Sequence, residues 1–60
     1  MEYARLFNMY LRKANESKDP EGRALFTKLA QKTALDARVK ALETNDVALL
    51  NMSADMFECL

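Results

Sequence analysis

Few side chains in this sequence could do chemistry. Asp36 is followed one helical turn later by Lys40 on the same side. At that spacing a carboxylate could serve a reaction or simply form a surface i, i+4 pair; the pair explains both residues and is worth only ~0.3 to 0.5 kcal/mol. Tyr3 and Tyr10 share a stripe with Phe7 between them. Beside a metal such phenols could pass electrons; without one they fill a core or an interface with their hydroxyls at its edge. Cys59 has Glu58 beside it and no basic neighbour in the tail, surroundings that give a nucleophilic thiolate no support. Histidine is absent, and glycine and cysteine occur once each, so no Ser-His-Asp set, zinc spacing or glycine-rich phosphate loop can be assembled. The sequence thus predicts no catalytic residue, no metal site and no cofactor.

The elements that would position these side chains are all helical. At 100° per residue Tyr3, Leu6, Phe7, Tyr10, Leu11 and Ala14 fall on one stripe, with Arg5, Asn8, Arg12 and Asn15 opposite, which predicts a first helix over about 2–17. Asp19 is an N-cap and Pro20 a first helical residue, so a second helix runs over about 20–43. The short connection lays the two helices antiparallel as a hairpin, with Leu6, Phe7, Tyr10, Leu11, Leu25, Phe26 and Leu29 expected in its core. Midway along the second helix the apolar stripe changes side, to Leu35, Val39 and Leu42. A helix that needs cover on two sides has two neighbours. "ETND" breaks the pattern and caps a short third helix over about 46–58, whose Leu49, Leu50, Met52, Met56 and Phe57 spread around most of its circumference. Gly22, the only glycine, fits either a close approach of another backbone or simple tolerance near a helix end.

Sixty residues make a single small domain, and a chain this short buries only roughly 60% of the surface its unfolded form exposes. Disulfides, metals or association usually supply what is missing, and the lone Cys59 and the lack of histidine leave association. The net charge is zero but uneven: residues 1–45 carry nine basic and six acidic side chains, residues 46–60 none and three. That split favours docking of the tail on the basic part. Arg5, Arg12, Lys13, Arg23, Lys28, Lys32 and Arg38 are scattered around two helices rather than gathered on one face, which argues against nucleic acid as a partner. No apolar run approaches the ~18 residues of a membrane span, and no signal-peptide pattern opens the chain, so a cytoplasmic protein without membrane contact is expected.

Met9-Tyr10-Leu11, Ala14, Asp19-Pro20, Leu25-Phe26 and Leu29-Ala30, taken with their joint spacing, resemble the helical hairpin of rubrerythrins and related ferritin-like proteins over residues 3 to about 43. The resemblance implies an all-α scaffold in which two hairpins complete a four-helix bundle. In that family the first helix gives a Glu and the second a Glu-x-x-His to a two-metal site; here the matching positions hold Tyr3, Thr33 and Asp36. With its ligand positions replaced, the resemblance speaks for scaffold and against diiron chemistry.

The reading that follows is an all-α chain, an antiparallel hairpin plus a short third helix, that forms a four-helix-type bundle by oligomerisation. Its expected role is a non-catalytic protein–protein interaction module, an adaptor, regulator or inhibitor, with Leu35, Val39, Leu42, Leu49, Leu50, Met52, Met56 and Phe57 as the contact surface to a second copy or to another protein partner. A reduced ferritin-like protein that binds metal or meets peroxide is the alternative, and a weak nucleic-acid binder the second.

Overall fold

Two short connections set the topology. The computed structural model describes residues 3–60, so the expected helix start at Glu2 lies outside the described residues. Helix α1 spans Tyr3–Glu16, α2 spans Pro20–Thr44 and α3 spans Val47–Cys59; the described residues contain no strand. The Asp19 carboxylate accepts the Glu21 N–H at 3.1 Å, and Pro20 opens α2 where a missing N–H leaves nothing unpaired. At the far end Asn45 takes a left-handed conformation at φ 55°, and the Asp46 N–H reaches back to the Ala41 carbonyl at 2.9 Å. This closes α2 in the manner of a Schellman stop. Asp46 then caps α3 by accepting the Leu49 N–H at 3.0 Å. Both turns reverse the chain, so α1 and α3 each run antiparallel to α2.

Helix α2 is the spine. Its 25 residues extend about 37 Å at 1.5 Å per residue, close to the 39 Å long axis of the chain. Helices α1 and α3 are each little more than half as long; α1 covers the first part of the spine and α3 the last. They touch each other far less than either touches α2. This is how the long helix acquires two neighbours.

The core lies along a seam of small residues. Ala30, Ala34, Ala37 and Ala41, spaced i, i+4, i+7 and i+11, have almost no exposure and cluster with Phe7 of α1 and Leu49 and Met56 of α3. Tyr3, Ala4, Tyr10, Leu11, Leu50 and Met52 pack around that cluster. Among the described residues two polar side chains are buried with it, and each finds a carbonyl in its own helix: Thr33 Oγ1 donates to Leu29 O at 3.0 Å and Ser53 Oγ to Leu50 O at 2.7 Å. No buried side-chain polar atom among the described residues lacks a partner.

The placement of the larger apolar residues corrects the expected hairpin core. Phe7 is buried, and Tyr10, Leu11, Phe26 and Leu29 are half-buried, but Leu6 is 40% and Leu25 56% exposed. Leu6 lies one residue, 100°, from Phe7, and Phe7 takes the central place. Leu25 lies about 140° around α2 from Ala30, so docking through the alanines leaves it at the side. On the spine itself, small side chains rather than leucines form the buried face.

Candidate interaction surface

Because α2 docks through alanine, the larger aliphatic residues of its second half face outward. Leu35, Val39 and Leu42 are 50%, 48% and 58% exposed, and at 100° per residue their stripe points about 140° away from the alanine seam. An exposed leucine alone is unremarkable; a contiguous set carries information. Here the set continues onto α3. Leu35 lines an open groove with Phe57 and Leu60, rimmed by Lys28 and Lys32. A second groove joins Leu42 to Val47 and Leu50 around the Asn45–Asp46 turn. Val39 lies between the two on the same face of α2.

Not every residue expected on this surface belongs to it. Leu49 and Met56 are buried, with Leu49, Ser53 and Met56 forming the i, i+4, i+7 stripe by which α3 meets the spine. Leu50 and Met52 are half-buried; both pack against the core, and Leu50 also lines the groove beside Leu42 and Val47. Phe57 is 38% exposed, and Val47 and Leu60 join it on the outside. The polar Ser53 hides the inward stripe of α3 from a hydropathy reading. Val47 carries no periodic signal because the intervening turn breaks its phase with Leu42.

The residues weighed for chemistry are dispersed. Asp36 pairs with Lys32 rather than Lys40, at 3.1 Å, with both side chains more than half exposed. Such a pair is worth a few tenths of a kcal/mol at most. Lys40 lies instead along a groove on the other flank of α3, with Thr44, Ala48, Leu49 and Met52. Thr33 is buried and spends its hydroxyl on Leu29, whereas Asp36 is in solvent, so the two positions matched to a metal-binding pair do not share a pocket. Among the described residues no three of His, Cys, Asp and Glu approach closely enough to hold a metal ion. Cys59 is free and exposed. No helix among the described residues is long and apolar enough to cross a membrane.

Lys13 stands 6.0 Å from the centroid of the Phe26 ring, an edge-of-range cation–π contact that ties the end of α1 to the start of α2. It lies far along the spine from the Leu35–Leu42 face. No protein-family model matches the sequence, and no curated protein or solved structure matches it either.

Proposed function

We propose that this chain is a non-catalytic helical interaction module of the cytoplasm that works as a homo-oligomer, two copies joining to complete a four-helix-type bundle. The rubrerythrin-like hairpin enters this proposal as scaffold only. One observation carries it: the spine buries four alanines and turns Leu35, Val39 and Leu42 to solvent. Of the large apolar side chains only Phe7, Leu49 and Met56 are buried, against eight that are exposed, among the described residues. An alanine contributes one methyl group to a core, a fully buried leucine or phenylalanine about 1.5 to 3 kcal/mol. The chain therefore withholds much of its apolar surface from its own interior, and a second copy would use it. Adaptor, regulator or inhibitor roles follow if the assembled dimer also presents a surface to another protein.

The test compares variants by sedimentation velocity and circular dichroism. Leu35→Asp and Val39→Asp should lower the assembled mass to that of one chain while leaving most of the helical signal. Phe7→Asp, at a site 3% exposed, should lose helix and mass together. Unchanged mass in the first two variants would refute the proposal.

A further inference from the structure

The outward stripe also specifies how two copies would meet. We infer that two chains pair through α2 in parallel, about a two-fold axis running along that helix, with Leu35, Val39 and Leu42 each facing its own counterpart. This inference rests on the proposed homo-oligomer and adds its geometry.

The spacing of the stripe comes first. From Leu35 to Val39 is four residues and from Val39 to Leu42 three, which assigns Leu35 and Leu42 to d positions of a heptad and Val39 to the a position between them. A β-branched residue at a with leucine at d is the combination that favours a parallel two-stranded pair. Lys32 occupies the preceding a position and α2 stops at Thr44 before the next one, so the seam ends after one and a half heptads. That is too short to hold a coiled coil alone. Phe57 and Leu60 lie beside Leu35, and Val47 beside Leu42, widening the contact where the heptads stop. A dimer of ordinary size covers roughly 800 Å² per partner, less than a fifth of the 4456 Å² that this chain exposes.

Charge then selects the direction. Arg38 precedes Val39 at g and Glu43 follows Leu42 at e, so they flank the stripe on opposite sides. They are five residues apart, on different sides of the helix, and neither has an ion-pair partner in its own chain among the described residues. In a parallel pair, g of one strand meets the following e of the other, and Arg38 faces Glu43 of the second copy twice by symmetry. In an antiparallel pair g meets g and e meets e. Arg38 would then face Arg38, and Asp36 would face Glu43, which is repulsion on both flanks.

Single-cysteine variants in a Cys59→Ser background distinguish the arrangements. Leu35→Cys and Leu42→Cys should each form a disulfide with its own copy under mild oxidation, because like positions face one another across the axis. Arg38→Glu and Glu43→Arg should each weaken dimerisation on the order of tenfold, and the two together should restore it. Cross-linking seen only when the Leu35→Cys and Leu42→Cys chains are mixed would show an antiparallel pair and overturn the inference while leaving the homo-oligomer standing. A dimer that cross-links in neither way would place the interface elsewhere and overturn it as well. A wild-type chain that stays single at every concentration would remove both the inference and the proposal beneath it.

Discussion

Gly22 lies directly under the hydroxyl of Ser17: a Cβ added to Gly22 would come within 2.6 Å of Ser17 Oγ, which itself donates to the Asp19 carbonyl at 3.2 Å. The close neighbour of the only glycine is thus a side chain of the preceding turn, not the backbone of another helix. The turn between α1 and α2 is packed against the first turn of the spine, and the absence of a side chain at position 22 permits it.

This relationship predicts a coupled pair of mutations. Alanine exceeds glycine in helix propensity by about 1 kcal/mol, but in Gly22→Ala that gain should be offset by displacement of Ser17, leaving stability within a few tenths of a kcal/mol of wild type. Removing the hydroxyl as well, in Ser17→Ala/Gly22→Ala, should release the gain and raise stability by up to about 1 kcal/mol. Chemical denaturation of the four proteins of the cycle checks this. Full stabilisation by Gly22→Ala alone would mean that Ser17 yields without cost.

A second prediction concerns the turn between α2 and α3. Asn45 is the only non-glycine residue at positive φ among the described residues. Asn45→Gly should be neutral or stabilising, whereas Asn45→Val should cost about 1 to 2 kcal/mol because a β-branched side chain resists the left-handed region. Asp46→Ala should cost about 1 kcal/mol through loss of the α3 cap. Thermal melts followed by circular dichroism measure all three; equal stability of the glycine and valine variants would contradict the turn geometry.

How much of this was legible beforehand follows from the kind of signal each residue carries. Asp19-Pro20 and Asp46 announce their helix starts through backbone chemistry that needs no tertiary context, and the described helices begin and end within a residue or two of the expected positions. The inner face was harder to read. Ala30, Ala34, Ala37 and Ala41 recur at helical spacing, yet alanine is only weakly hydrophobic and is equally at home on a solvated face, so the larger Leu25 and Leu29 attract the eye. In α3 a serine occupies the middle of the buried stripe. What decides between an alanine face and a leucine face is how closely two backbones can approach, a property of the pair of helices and not of either sequence.

The alanine seam yields the third prediction. Ala34 and Ala37 have no measurable exposure, so Ala34→Leu should push α1 and α3 off the spine and cost about 1 to 3 kcal/mol, despite added apolar volume and good helix propensity. Leu42→Ala, in contrast, should leave the helical signal of the chain intact and act on association. Denaturation midpoints for both, read beside sedimentation profiles, check the contrast. A stable, well-packed Ala34→Leu protein would show that the seam has room to spare.

Whether a second copy completes the outward Leu35–Val39–Leu42 face can be read by melting the wild-type protein over a wide range of concentration with its mass determined at each. A two-chain mass is expected, with a melting temperature that rises with protein concentration, because assembly stabilises the fold by mass action. A single-chain mass with a cooperative melt whose midpoint does not move with concentration would contradict it.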